Sequence, residues 1–259
     1  MLGGRRILVT GGTSGIGRAL VRAYAAHGAS VLAVGRNEAA LAEAAAGEYA
    51  GRVAAIAADL VTEPGRRAVA TTVEHTGGIL DVVVHAAGML GPVGEEGRLE
   101  RYPADAWYQV FEANLSAIHF LHQRLAGALD RGHHPVVIGV SSTVGRTGRA
   151  GWGMYAISKR ALEGWLELLT DEWGTRGRVY SVNPGATRTP MRAAAVPDED
   201  PATLPSPEDI TPLFLRLAHP DAPEPSGALL DARNWLGRDP WAGLGPGARL
   251  GGALSEEET

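Results

Sequence analysis

Residues 5–17 read RRILVTGGTSGIG, and the fold follows from how that stretch divides. Ile7, Leu8, Val9 and Thr10 form a short apolar run rich in β-branched side chains, the pattern of a strand buried on both faces. From Gly15 to about residue 27 the apolar positions recur at helical spacing. A glycine-rich turn lies between. Glycine lets a backbone approach a phosphate closely, and the N-terminus of the following helix offers N–H donors and positive dipole. The spacing is TGxxxGxG, a narrower pattern than the common GxGxxG. Gly11, Thr13, Ser14, Gly15, Ile16 and Gly17 are therefore candidate phosphate-binding residues of a dinucleotide site; a glycine-rich turn with no ligand is the bland alternative.

The same alternation continues along the chain. Strands are predicted at 30–35, 52–58, 80–85, 135–141, 178–183 and 228–231. Helices are predicted at 37–48 with Asn37 as N-cap, at 63–75 with Pro64 in the first turn, and at 105–129, 152–173 and 207–218, the last opened by Ser206-Pro207. Continuous apolar strands, each followed by a helix, make a parallel sheet covered on both faces. Right-handed crossovers then give a doubly wound α/β fold of about seven strands. No linker or repeat divides it, so residues 1–236 read as one domain. Residues 237–259 form a glycine-rich tail ending in acids, either disordered or docked on a partner subunit. Residues 191–205 are a candidate lid loop.

Composition narrows the chemistry. The chain has 259 residues and no cysteine, which excludes disulfides, thiolate metal sites and thiol catalysis. A net charge of −5 gives no hint of nucleic acid. No apolar run approaches the ~18 residues of a membrane span. The first ten residues are too short and strand-like for a signal peptide, and a cytoplasmic setting is expected. Of the 24 basic residues all but Lys159 are arginine, so Lys159 marks a position where arginine does not serve.

Three further signals carry chemistry. Arg36 stands one residue past the second strand, where a fold selective for NAD would place an acid on the ribose 2′-hydroxyl; a guanidinium suits a 2′-phosphate instead. Asp59-Leu60 ends the third strand, either near an adenine or as an N-cap. Tyr155 and Lys159 share a helix face four residues apart, and Ser142 lies thirteen residues before Tyr155. A carbonyl reduced by hydride needs a proton on its oxygen. A free phenol titrates near ~10, and lowering it by ~3 units takes about 4 kcal/mol. One cation ~4 Å away at an effective dielectric of ~20 supplies about that much.

Taken together these residues resemble the short-chain dehydrogenase/reductase family, in its single-domain branch of ~250 residues. The resemblance runs over 5–231 and covers TGGTSGIG at 10–17, Asp59-Leu60, His85-Ala86-Ala87-Gly88, Asn114-Leu115, Ser142, Tyr155-Ala156-Ile157-Ser158-Lys159 and Asn183-Pro184-Gly185 followed by Thr189. It implies a Rossmann-like fold and a set of roles. Ser142 would hydrogen-bond the substrate oxygen. Tyr155 would be the acid/base. Lys159 would hold the nicotinamide ribose and lower the tyrosine pKa. Asn114 would hold a water linking Lys159 to bulk solvent; a mid-helix polar residue packed internally is the bland alternative. Ala87 and Gly88 would pass under the cofactor, while Pro184, Gly185, Thr187 and Thr189 would fix the nicotinamide. The implied cofactor is NADP(H), with NAD(H) possible on the same frame. The implied partner is a small carbonyl or alcohol substrate, and a homodimer or homotetramer through the helices at 105–129 and 152–173 is expected. A more distant similarity is to bacterial oxoacyl-carrier-protein reductase-like members.

The chain departs from the family pattern where NNAG reads HAAG, which removes an asparagine at Ala86; His85 then reads as a core or cofactor-edge histidine. The glycine turn carries Ser14 where relatives preferring NADP often carry a basic residue, so cofactor choice rests on Arg36. Trp152 either walls an apolar pocket or packs the helix start. Arg146, Arg149 and Arg192 read as solvated surface arginines, with attraction of an anionic substrate as the alternative. His119, His122, His133 and His134 lack a metal-binding partner set. The leading expectation is an NADP(H)-dependent oxidoreductase working on a carbonyl or secondary alcohol. The alternatives are an NAD-dependent alcohol or sugar dehydrogenase and a dinucleotide-sensing regulator, which would need no proton relay.

Overall fold

Four of the five residues of β1 (Arg6–Thr10) are buried, as an apolar run without polar alternation requires when both sheet faces are covered. In the computed structural model, which describes residues 1–245, β1 leads through the glycine turn into α1 (Gly15–Ala26), β2 (Ser30–Gly35), α2 (Glu38–Ala45), β3 (Val53–Ala57) and α3 (Glu63–His75). There follow β4 (Val82–His85), α4 (Ala104–Phe111), a π-helical turn (Glu112–Ser116), α5 (Ala117–Asp130), β5 (Val136–Val140) and the short α6 (Thr143–Arg146). The chain continues with α7 (Gly153–Trp173), β6 (Arg178–Asn183), α8 (Pro190–Ala195), α9 (Thr211–Leu217) and β7 (Leu229–Asp231).

The seven strands lie in the order β3-β2-β1-β4-β5-β6-β7 with every neighbouring pair parallel. The strand alternation sorts side chains into two cores. Ile7, Val9, Val84, Ile138 and Val182 face Leu20, Tyr24 and Phe214 on one side. Leu8, Val83, Val137 and Val179 face Val69, Leu121, Leu125, Leu162 and Leu166 on the other. The order reverses between β1 and β4, and such a switch point leaves a crevice at the carboxyl ends of the strands. The residues singled out from the sequence cluster at those ends.

Local signals place the helices. Asn37 caps α2 by accepting from the Ala40 N–H at 3.0 Å. Thr62 caps α3 by accepting from the Gly65 N–H at 3.1 Å, with Pro64 just inside. Three expectations are corrected. The helix read as continuous over 105–129 carries the π-turn at its middle, because Asn114 is drawn inward to bond a neighbouring loop. The helix expected from residue 207 begins at Thr211; Pro212 lacks an N–H and crowds the preceding turn, so residues 207–210 form separate turns. Part of the expected lid loop is helical: Thr189 caps α8, accepting from the Arg192 N–H at 3.1 Å.

The first residues of the expected tail pack on their own domain. Arg216 donates to the carbonyls of Pro240 and Ala242 at 3.3 and 2.7 Å, and Trp241 packs beside His27 and His219. The rest of that tail, 246–259, lies outside the described residues.

Beneath α7 sits a cluster of His85, His119, His122, Trp165 and Trp173. Trp165 donates its indole N–H to Nδ1 of His119 at 3.2 Å and stands edge-on to His85 and His122. Neither ring nitrogen of the buried His85 has a hydrogen-bond partner among the described residues. Burial, helped by the neighbouring His122, pushes the His85 pKa down to about 3. Burial, helped by Arg176 and His119, pushes His122 down to about 4. Both rings are therefore neutral in the fold, while the unfolded chain protonates them below ~6.5. Stability is full above that pH and declines as pH falls toward 4, by about 2 kcal/mol per histidine at pH 5. Urea midpoints followed from pH 7 to 5 should fall in the parent protein and fall less steeply in His122→Leu. Parallel declines would show that His122 does not contribute.

Candidate active site

Two cavities open at the carboxyl ends of the strands, one on each side of the glycine turn. The first, about 570 Å³, is lined by Gly11, Thr13, Ser14, Gly35, Arg36, Asp59, Leu60, Ala87 and Gly88 among others. The second, about 660 Å³, is lined by Ile16, Ser142, Trp152, Tyr155, Pro184, Gly185, Thr187 and Thr189 together with apolar and arginine side chains considered below. Most of the predicted site residues line these two cavities; Gly15, Gly17, Asn114 and Lys159 lie outside both linings.

The turn is built by the chain's own crowding. Gly11 has a φ of +72°, and a side chain there would come within 2.9 Å of the Ala87 backbone; one on Gly17 would strike the Gly11 carbonyl. The turn can therefore fold back on itself and bring α1 against β4. Ser14 at the N-cap makes no side-chain cap, and the first turn of α1 holds no acid. An uncapped, unneutralised helix start facing a cavity fits an anion. Arg36 is exposed and has no ion-pair partner among the described residues, so its donors are free where a 2′-phosphate would lie. Asp59 accepts from the Val61 N–H at 3.2 Å, as an N-cap-like turn residue at the cavity wall. The donor set and shape fit a dinucleotide carrying a 2′-phosphate.

Thr10, unsuspected beyond its place in the motif, ties the two sides of the crevice. Its Oγ1 accepts from the N–H groups of both Ala86 and Ala87 at 3.1 Å. The Thr10 hydroxyl thereby joins the glycine turn to the loop after β4. Gly88 then passes so close to Asn114 and Lys159 that a Cβ would lie 3.3 Å from Asn114 Oδ1 and 3.6 Å from Lys159 Nζ.

Asn114 is fully buried. Its Oδ1 accepts from the Met89 N–H at 2.7 Å, and its Nδ2 donates to the Met89 carbonyl and to Ser158 Oγ, each at 2.9 Å. Ser158 in turn donates to the Tyr155 carbonyl at 2.8 Å. The Asn114 side chain is thus committed to clamping the loop after β4 and the start of α7.

Tyr155 and Lys159 share a face of α7, with the ammonium 5.7 Å from the phenol ring centroid. Lys159 is buried and donates to the Val140 carbonyl at 2.8 Å. Burial lowers its pKa to about 8. Tyr155 is also buried, which raises its pKa, while the Ser142 hydroxyl bonded to it pulls the other way. Burial outweighs the Ser142 hydrogen bond, so the phenol sits above its usual pKa. The adjacent serines divide. Ser141 is buried and donates to Glu163 at 2.8 Å; Ser142, at the N-cap of α6, leaves its hydroxyl toward Tyr155.

Beyond these, Asn183 fixes the Pro184-Gly185 turn by accepting from the Gly185 N–H at 3.0 Å while donating to Asp231 at 2.5 Å. Thr187 donates within the same turn, to the Pro184 carbonyl at 3.3 Å. Thr189 faces the glycine turn, its Cγ2 3.2 Å from where a Gly15 Cβ would stand. Trp152 lies at the start of α7 with its ring 5.9 Å from that of Tyr155, so it both walls the cavity and packs the helix start. Arg146 is no surface residue: it donates to Glu163 at 2.9 Å and Asp231 at 3.2 Å, and Glu163 also accepts from Ser181 at 3.0 Å. Glu163, one helical turn past Lys159, was legible only as an acid on an otherwise buried helix face. Among the described residues no group of acids and histidines could hold a metal, and no helix is long and apolar enough to cross a membrane.

Comparison with known proteins agrees with this geometry. The model of the short chain dehydrogenase family matches residues 5–200. The oxidoreductase YciK of Escherichia coli is 41% identical over 238 residues, spanning 90% of this chain and 93% of the relative. The 3-oxoacyl-[acyl-carrier-protein] reductase FabG of the same organism is 31% identical over 198 residues, 76% of this chain and 79% of the relative. A short chain dehydrogenase from Shigella flexneri, solved in complex with NADP, superposes with a TM-score of 0.85 at 39% identity, covering 90% of this chain and 98% of its own. With its parallel sheet, glycine turn and Ser142–Tyr155–Lys159 cluster in these places, the chain belongs to the short-chain dehydrogenase family of oxidoreductases.

Proposed function

We propose that this protein is an NADP(H)-dependent carbonyl reductase or secondary-alcohol dehydrogenase in which Tyr155 is the acid/base. The observation that carries the reading is Ser142 and Tyr155 together on the wall of one cavity, with the buried Lys159 beside Tyr155 on the same helix face, next to the second cavity that holds the uncapped helix start and the unpaired Arg36. The complex of a similar protein with NADP supports the cofactor. When bound, NADPH supplies the hydride and NADP⁺ accepts it.

The chain's residues do the rest. Thr13, Ser14, Gly15, Ile16 and Gly17 receive the phosphates, and Arg36 takes the 2′-phosphate. Asp59 and Leu60 flank the adenine, with Ala87 and Gly88 beneath. Pro184, Gly185, Thr187 and Thr189 bound the nicotinamide pocket. Ser142 holds the substrate oxygen. The raised pKa keeps Tyr155 protonated and ready to donate as negative charge develops on that oxygen. Lys159, charged below its pKa of about 8, holds the ribose hydroxyls and stabilises the phenolate left after donation. The proton is then restored through Asn114, whose main-chain carbonyl takes the water-holding role because its side chain is committed to Met89 and Ser158. A sensor of dinucleotide would need none of this relay. A cytoplasmic homo-oligomer completes the reading, supported by the exposed Tyr108 and Leu168 on the outer helices.

Three outcomes are expected. Binding titrations should show NADPH preferred over NADH by about 10- to 100-fold, the range a lost charged hydrogen bond would give, and Arg36→Ala should abolish the preference. Equal affinities in the parent protein would refute the choice of cofactor. Tyr155→Phe should lower kcat by about 10³-fold or more while NADPH binding holds, and near-full turnover would overturn its role. In the reductive direction kcat/KM should decline as pH rises past about 8, where Lys159 loses its proton but Tyr155 keeps its own; a flat profile to pH 9.5 would separate Lys159 from the reaction.

A further inference from the structure

The mouth of the larger cavity carries more positive charge than hydride transfer uses. Arg149, Arg192 and Arg233 all line it. Arg149 and Arg233 are exposed, and among the described residues neither side chain has a hydrogen bond or ion pair. Arg149 lies over the Trp152 ring, 5.9 Å from its centroid, and Trp152 leans on Tyr155. Arg233 packs against Gly185, where a Cβ would meet its side chain at 2.4 Å. The two free guanidiniums thus flank the Tyr155 wall and the Pro184-Gly185 wall.

A carboxylate of the chain itself already sits among them. Glu199, on the loop after α8, accepts from Arg192 Nε and Nη2 at 2.5 and 2.6 Å, a two-pronged pair. It also feels the charges of Arg233 and Arg149. One carboxylate faces three guanidiniums, leaving a net excess of two positive charges at the rim of a chain whose overall charge is −5. Asp231 on the same cavity does not offset this, being paired with Arg146 and Asn183. Below the rim the wall is apolar, formed by Ile16, Leu90, Trp152 and Met191.

We propose that this mouth selects carbonyl substrates bearing an anionic group, carboxylate or phosphate, which Arg149 and Arg233 hold while the carbonyl lies at Ser142 and Tyr155. The inference deepens the redox reading above and rests on it for the carbonyl end. An apolar spacer fits between the two ends. Glu199 competes for the same guanidiniums, so the segment from Arg192 to Glu199 acts as an internal occupant that substrate anion displaces.

The test compares 4-oxopentanoate with its methyl ester, and dihydroxyacetone phosphate with dihydroxyacetone, by calorimetric binding to the protein loaded with NADP⁺ and by NADPH-dependent turnover. Each anion should bind about 10-fold or more tightly than its neutral counterpart. Arg149→Ala and Arg233→Ala should each remove most of that gain and leave the neutral compounds unchanged. Glu199→Gln should tighten the anions and not the neutral compounds, an effect that loss of structure would not produce. The phosphate and carboxylate arms show which anion the mouth favours. Equal binding of anion and neutral compound, or arginine variants that weaken both alike, would overturn the proposal. Turnover of the neutral ketones without any anionic gain would sink the anion site and leave the redox reading standing. Anion binding that depends on Arg149 and Arg233, with no turnover of any compound, would do the reverse.

Discussion

A parallel sheet whose strand order reverses must part its following segments to opposite faces, and the gap this leaves beyond the carboxyl ends of β1 and β4 is the constraint on which this structure depends. Nothing on the sheet can close that gap, so the loops that leave β1 and β4 meet over it. Thr10 holds them together with a single hydroxyl that accepts from two consecutive N–H groups. Gly11 and Gly17 make that meeting sterically possible, since any side chain at either would collide with backbone. The phosphate cradle is therefore first a packing solution and only then a binding one. The N–H groups left over at the start of α1 are the part that ligand chemistry can use.

From that crevice the second half of the site is hung by polar clamps rather than by apolar packing. Asn114 grips the Met89 peptide and Ser158, and Ser158 grips the carbonyl of Tyr155. The π-turn in the middle of the α4–α5 helix is the local cost of pointing Asn114 inward. Glu163 joins Ser141, Ser181 and Arg146, which secures the segment that carries Ser142 against α7 and β6. These groups are buried and mutually satisfied, and a satisfied polar network specifies one arrangement where apolar contacts would tolerate several.

Electrostatically the site is a contest between burial and neighbours. Burial disfavours the charged form of both members of the Tyr155–Lys159 pair. The phenol is consequently a proton donor held in reserve, and the ammonium stays charged only up to mildly alkaline pH. The same burial keeps His85 and His122 neutral on the far side of α7. One helix thus carries a titrating lysine toward the crevice and covers silent histidines behind it.

The sequence alone determined the strand–helix alternation, the parallel sheet, the cradle and the positions of Ser142, Tyr155 and Lys159, because periodicity, turn chemistry and i,i+4 spacing are local properties. Asn37 capped its helix for the same reason. What the tertiary structure decided was every property that depends on residues distant in the chain. Arg146 looked like a solvated arginine and is held by Glu163 and Asp231; Trp152 could wall a pocket or pack the helix start and does both; Pro212 restarted a helix that patterning ran through. The balance of the tyrosine pKa, too, turned on burial, which no spacing encodes. Arg233, joining Arg149 and Arg192 around Glu199, had no signal in the sequence, since only the packing of the segment after β7 against the Pro184-Gly185 turn brings it to the cavity.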